Sequence, residues 1–202
     1  MIPSEITISG VDSYATVYHE DTKTLIVDDY CVVDTGELGG ITIQCGVGCV
    51  IVTAKNNKII CEDGFCNITC QDCNVISGGE YMHIVAYSNN KIEIGNYGMV
   101  DTSCQNDIIL GDGCAVRTSY ECTIKGGNNC VFVGRHDAKR TSNVMLKKGI
   151  TYNTGEYESK DLMVNVKEYV CNIPESDKVI GLEVLLSLPE YATMSEINNF
   201  GI

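Results

Sequence analysis

The 202-residue sequence contains no tryptophan, three phenylalanines and three prolines. So little proline excludes a collagen-like or proline-rich disordered chain. Cations are scarce too: 14 lysines and arginines stand against 27 acidic residues, a formal net charge of −13. Binding to a phosphate backbone needs positive charge, so no direct nucleic-acid partner is expected. No segment approaches the roughly 18 consecutive apolar residues of a membrane-spanning helix, so no membrane partner is expected either. The opening Met1-Ile2-Pro3-Ser4-Glu5 lacks the basic patch and apolar core of a secretion signal. Together these predict a cytoplasmic protein, in a host cytoplasm if it is viral.

What is present is unusual. Apolar residues make up 44% of the chain, enough for a core, and there are 20 glycines and 12 cysteines. In a long chain without an export signal, the cysteines read as reduced thiols, which behave as small buried hydrophobes.

A repeat organises the middle of the chain. Cutting into eights from Ile41, with one skipped residue at Phe65, gives twelve octads that end at Asp137. The third position is Ile43, Ile51, Ile59, Ile68, Ile76, Ile84, Ile92, Val100, Ile108, Val116, Ile124 and Phe132. The octads alternate in kind. Odd ones open with Asn57, Asn74, Asn90 and Asn106 and carry Gly46, Gly79, Gly95, Gly111 and Gly127 at position six. Even ones open with Cys49, Cys66, Met82, Gly98, Cys114 and Cys130 and carry Thr53, Thr102 and Thr118 at position five. The true period is therefore sixteen.

Sixteen residues suit one coil of two short strands. The third position favours β-branched residues, and glycine, asparagine and aspartate gather at positions six to eight, where turns belong. Alternation along a strand puts positions one, three and five inside and positions two and four outside. Asparagine at a corner can bond to backbone and to the asparagine one coil above. Glycine at position six is expected to supply a positive φ. Six coils stacked at about 4.8 Å make a rod of roughly 29 Å. The expected fold is thus all-β: a right- or left-handed β-solenoid over 41–137, with Phe65 as a bulge.

This alternation, N-x-I-x-x-G-D-G followed by C-x-I/V-x-T-x-x-N, resembles the octapeptide repeats of ice-nucleation-protein-like β-solenoids, with similar arrays in bacterial and bacteriophage proteins. The resemblance spans residues 41–137 and implies architecture rather than activity. Ice binding would need a flat outward array of threonines, whereas Thr53, Thr102 and Thr118 are placed inward.

The ends differ from the repeat. Residues 1–40 hold eight acidic residues and one lysine and read as an acidic β cap over the first coil, since a solenoid must cover its open end. Residues 138–202 read as a C-terminal cap or small α+β domain. A strand is expected where Ile180, Leu182, Val184, Leu186 and Leu188 alternate, and a short helix after Pro189. Its apolar stripe leaves a homodimer through this cap open.

Chemistry-bearing motifs are few. Cys66, Cys70 and Cys73 have the spacing of a radical-enzyme iron–sulfur motif, but positions one and five of a strand lie about 13 Å apart. Zinc needs four converging thiolates. Stacking brings Cys45 near Cys61 and Cys49 near Cys66, at different positions of the coil, so convergence of all four is not expected. Disulfides between coils are allowed by distance but disfavoured by a reducing cytosol. His19, His83 and His136 have no nucleophile at a catalytic spacing. Asp63, Asp72, Glu80, Asp112 and Asp137 fall on turns and read as solvated charges. No cofactor or metal is expected, and no catalytic residue is identified.

The expected function is a non-enzymatic protein-binding module. Its acidic end would imitate DNA toward a nucleic-acid enzyme or defence protein, in the manner of a phage or mobile-element inhibitor. Glu20, Asp21, Asp28, Asp29, Asp34 and Glu37 are the candidate contacts, with Val50, Val52, Val131 and Val133 as the apolar alternative. A virion or tail component, and an enzyme with an unrecognised site, are the other readings.

Overall fold

The structure, a computed structural model, describes residues 1–10, 15–62, 64–119, 121–134, 143–146 and 148–154. The 180–188 strand, the helix after Pro189, the rest of residues 155–202, Asp63, His136, Asp137 and Cys171 lie outside them.

Eighteen strands follow in chain order. They are β1 (Thr7–Gly10), β2 (Val17–His19), β3 (Thr24–Val27), β4 (Cys31–Asp34), β5 (Thr42–Cys45), β6 (Val50–Thr53), β7 (Lys58–Cys61), β8 (Asn67–Cys70) and β9 (Val75–Gly78). Then come β10 (His83–Ala86), β11 (Lys91–Ile94), β12 (Met99–Thr102), β13 (Asp107–Leu110), β14 (Ala115–Thr118), β15 (Thr123–Lys125), β16 (Cys130–Gly134), β17 (Asn143–Leu146) and β18 (Thr151–Asn153). They form two nine-stranded sheets, β1-β4-β6-β8-β10-β12-β14-β16-β17 and β18-β15-β13-β11-β9-β7-β5-β3-β2. From β3 to β16 successive strands alternate between the sheets, and each pairs in parallel with the strand two places on. This is a two-sheet β-solenoid.

The sixteen-residue period is seen directly in the register. Ile43 pairs with Ile59, Ile59 with Ile76, Ile76 with Ile92, Ile92 with Ile108 and Ile108 with Ile124. In the other sheet Ile51, Ile68, Ile84, Val100, Val116 and Phe132 form the matching file. Both files are sealed between the sheets, and only Phe132 is not fully buried.

The solenoid is longer than the octads suggest. Leu25 of β3 pairs in parallel above Ile43, and Val33 of β4 above Ile51. These strands add a seventh coil, so seven coils at about 4.8 Å rise give roughly 34 Å of rod. The cap proper at this end is two strands, β1 antiparallel to β4 and β2 antiparallel to β3. The other end mirrors it, with β17 antiparallel to β16 and β18 antiparallel to β15. The coil escapes the octad frame because Gly39 and Gly40 add two residues before Ile41. Gly40 stands at φ +77°, and a Cβ on Gly39 would lie 2.5 Å from the Lys55 carbonyl oxygen.

The position-one asparagines knit the coils. The backbone N–H of Ile41 donates to Asn57 Oδ1 (3.1 Å), Asn57 to Asn74 (2.9 Å), Asn74 to Asn90 (2.8 Å) and Asn90 to Asn106 (2.8 Å). Each Nδ2 donates to corner carbonyls, Asn106 reaching Tyr87 O and Cys104 O at 2.9 Å each. Their burial is possible because both ends of the amide are satisfied.

Two expectations about the turns are corrected. The left-handed residue of each corner is position eight, not six. Asn56, Cys73, Tyr81, Asn89, Tyr97, Gln105, Glu121 and Asn129 all have φ between 54° and 62°. Position six is glycine for space: a Cβ on Gly111 would lie 2.6 Å from Gly95 C, and one on Gly127 2.7 Å from Gly111 C. The coils touch there, backbone on backbone. Phe65 is likewise not the bulge. Its N–H donates to Glu80 O at 2.9 Å, as Tyr81 N–H does to Asn96 O, and its ring stacks on Tyr81 at 4.7 Å. Phe65 fills the ordinary corner place, and the extra residue is absorbed before it, where Gly64 lies against Glu80.

Gly111→Ala should therefore lower unfolding free energy by about 1–3 kcal/mol. Gln105→Gly, which relieves a left-handed side chain, should leave it unchanged or raise it by up to about 1 kcal/mol. Urea melts of both variants check this, and a reversed order contradicts the assignment of the two corner positions.

Candidate functional site

The two turns of a coil lie on opposite sides of the rod, and they divide the six candidate acidic contacts. Asp28 and Asp29 occupy the turn between β3 and β4. Glu20 and Asp21 sit in the β2–β3 turn and Glu37 in the β4–β5 turn, on the other side, where Thr42 N–H reaches Lys23 O. Asp34 ends β4 and faces outward. Five of the six are exposed and Asp29 is half-buried. Their charge thus surrounds the first coil.

Four of the six have partners within the chain: Glu20 pairs with the Met1 amino group, Asp28 Oδ1 accepts the Asp29 N–H at 2.9 Å, and Asp29 and Asp34 accept from more distant backbone. Asp29 Oδ1 accepts the Val47 N–H at 2.8 Å, and Asp34 Oδ1 accepts the Gly36 N–H at 2.8 Å. The same device recurs along the corners. Asp72 Oδ1 accepts Ser88 N–H, Asn96 Oδ1 accepts Asp112 N–H, and Asp112 accepts from Asn128. These hydrogen bonds from Asn128 hold the Asp112 carboxyl below its ordinary range. Turn carboxylates expected to be merely solvated therefore include backbone acceptors between coils.

The outward surface is mixed. Val32, Val52, Val85, Ile26, Val75 and Ile109 are exposed on the strands. Of the apolar alternative, Val52 is exposed and Val50 half-buried, whereas Val131 is buried. Asp101 and Arg117, at an outward position, form an ion pair that is mostly buried. His83 bonds Asn67 Oδ1 at 3.2 Å, and burial lowers its pKa. Thr53, Thr102 and Thr118 face inward as expected, Thr53 bonding Thr35 at 2.9 Å and Asn57 Nδ2 at 2.7 Å.

Sulfur chemistry is where the structure departs most from expectation. The thiols of Cys45, Cys49 and Cys66 all lie within 4.8 Å of one another, and Cys61 Sγ is 2.7 Å from Cys45 Sγ. All four residues are buried. Three of the four meet because of the path of the turn, whereas Cys61 is not within 4.8 Å of all the others, in keeping with the expectation that all four would not converge. Position five of one octad and position one of the next flank the same corner, so both point into the same volume. Cys45 and Cys49 flank one turn, and Cys61 and Cys66 flank the turn stacked on it. The Cys49 thiol also donates to Asp28 O (3.1 Å) and Cys66 to Gly46 O (3.2 Å) and Gly64 O (3.3 Å). Hydrogen bonding among the four, with burial, pushes Cys45 above the ordinary thiol range. The bonds that Cys66 receives from Cys45, Cys49 and Cys61 pull it below that range.

The other cysteines stand apart. Cys70 is buried away from this corner, and burial pushes its thiol up to about 12. Cys73 is exposed, so Cys66, Cys70 and Cys73 do not form one site. Cys114 and Cys130 stack at the same corner further along, near the aliphatic Leu110 and Leu146.

No protein family, curated protein or solved structure that was compared matches this chain. The class is defined by the fold alone: a seven-coil, two-sheet β-solenoid with a sixteen-residue spacing. Among the described residues no helix is long and apolar enough to cross a membrane.

Brief alkylation of the folded protein should label Cys73 first and Cys104 next among the described cysteines, with the buried thiols labelled only on unfolding. Peptide mass mapping checks this. Labelling of Cys70 or Cys130 as fast as Cys73 would contradict the inward placement of positions one and five.

Proposed function

We propose that the chain is a non-enzymatic protein-binding module that docks through the acidic end of its rod onto a basic surface. A nucleic-acid enzyme or a defence protein is the partner class that presents such a surface. An inhibitor carried by a phage or mobile element would act in this way from within a host cytoplasm. The observation that carries the reading is the ring of exposed carboxylates, Glu20, Asp21, Asp28, Asp34 and Glu37, around the first coil, with Lys23 as the one basic residue of residues 1–40. Elsewhere the rod is nearer balance, with nine acidic against five basic residues over 41–134. Capping a solenoid needs apolar contact and backbone pairing, which β1 and β2 supply without that charge. Concentrated charge of one sign speeds encounter with a partner of the opposite sign. The likeness to ice-nucleation-type octad arrays, which rests on the repeat pattern, supports a rigid scaffold role.

The test uses the whole chain as bait in host lysate, followed by association kinetics with the captured protein. A nuclease, polymerase or other basic enzyme is expected, and its association should slow as salt shortens the Debye length below about 8 Å. D21K/E37K, which spares the backbone acceptors Asp29 and Asp34, should slow association at least tenfold, while E93K/D107K on the shaft should change it little. Binding indifferent to salt and to D21K/E37K contradicts the proposal. Recovery of virion proteins instead would favour a structural role in a particle.

A further inference from the structure

We infer that Cys45, Cys49, Cys61 and Cys66 form a mononuclear four-thiolate site for a thiophilic divalent cation of the zinc type, clamped between the second and third coils. The spacing is Cys-x3-Cys on one coil and Cys-x4-Cys on the next. Structural zinc sites draw paired cysteines from short turns at about this spacing. Tetrahedral zinc at about 2.3 Å from each sulfur places the sulfurs roughly 3.8 Å apart. Cys45 and Cys66 are 4.0 Å apart, and Cys49 lies within 4.8 Å of both. Cys61 lies 2.7 Å from Cys45 but not within 4.8 Å of all three others, so it is the ligand that must shift to complete the tetrahedron. A cage this small suits one ion and not a cluster of several irons.

Packing alone does not account for the four thiols. The fourth and fifth coils fill the same corner with one larger apolar side chain opposite a glycine. Gly78 faces Met82, where a Cβ would meet the Met82 Cε at 2.8 Å, and Gly98 faces Ile94, where a Cβ would meet Cδ1 at 2.5 Å. Only the second and third coils place two cysteines each there. The turn flanked by Cys61 and Cys66 is also the one that absorbs the extra residue at Gly64. A cation held by Cys61 and Cys66 would pin that irregular turn to the regular one above it. Zinc binding displaces the thiol protons to solvent.

The experiment is metal analysis and cobalt titration of the reduced, full-length, folded protein. Expected are one zinc per chain after gel filtration, a thiolate-to-cobalt charge-transfer band saturating at one equivalent, and its loss on adding zinc. X-ray absorption of the zinc form should show a shell of four sulfurs at about 2.3 Å. C45S/C66S should lose the band, while C114S/C130S should keep it. Absence of the band in the reduced wild-type chain overturns the inference whatever the variants do. So does a first shell of nitrogen and oxygen, or a band that survives in C45S/C66S. A Cys45–Cys61 disulfide that reforms in place of metal binding would make the corner a redox pair instead, and would equally overturn it.

Discussion

The hydrogen bond from one coil to the next is the interaction on which everything else depends. Along the strands it is the parallel backbone ladder. At one corner it is continued by the Asn57–Asn74–Asn90–Asn106 column, in which each side-chain oxygen receives a main-chain N–H from the preceding coil. A buried N–H left without that acceptor would cost about 1–3 kcal/mol. At the opposite corner Asp29, Asn96 and Asp112 do the same for exposed turns. A shift of one residue would put every isoleucine of the two files on the solvent side and break both columns together.

The narrowness of the interior follows from the same stacking. Two sheets of four-residue strands leave room at positions one and five only for small groups. Cysteine, threonine, alanine and glycine recur there, with Met82 and Ile94 filling the space where the facing residue is Gly78 or Gly98. Cysteine is abundant because it is small, apolar and tolerates stacking on itself. The four-thiol corner is where two successive coils each put cysteine at both flanking positions.

Much of this was legible in the sequence, and the gaps have physical causes. Position three is under a single demand, burial between two sheets, so its periodicity is clean and the files from Ile43 to Ile124 and Ile51 to Phe132 read directly. The corners answer to several demands at once. Glycine at Gly111 and Gly127 looked like a conformational requirement, but it reflects backbone contact between coils. The conformational requirement falls on Tyr97, Gln105 and Glu121, whose residue types carry no turn signal. The first coil was hidden by two glycines inserted at Gly39 and Gly40, although Leu25 and Val33 keep an eight-residue spacing. The meeting of Cys45, Cys49 and Cys66 was missed because positions one and five count as separate places along the coil, whereas Cys45 and Cys49 meet around a turn. The acidic contacts were found as residues, but their division between two corners needs the path of the chain.

The coil as an interchangeable sixteen-residue unit is tested most directly by deletion. Removing residues 74–89 takes out one whole coil and sets Asn57 beneath Asn90, Ile59 beneath Ile92 and Phe65 beside Tyr97. Removing residues 74–81 takes out half a coil and drives strands of one sheet into the place of the other. Cooperative urea unfolding followed by circular dichroism should show the first variant folded with a smaller m-value, as expected for less buried surface, and the second without a cooperative transition. Equal behaviour of the two deletions would contradict the sixteen-residue architecture.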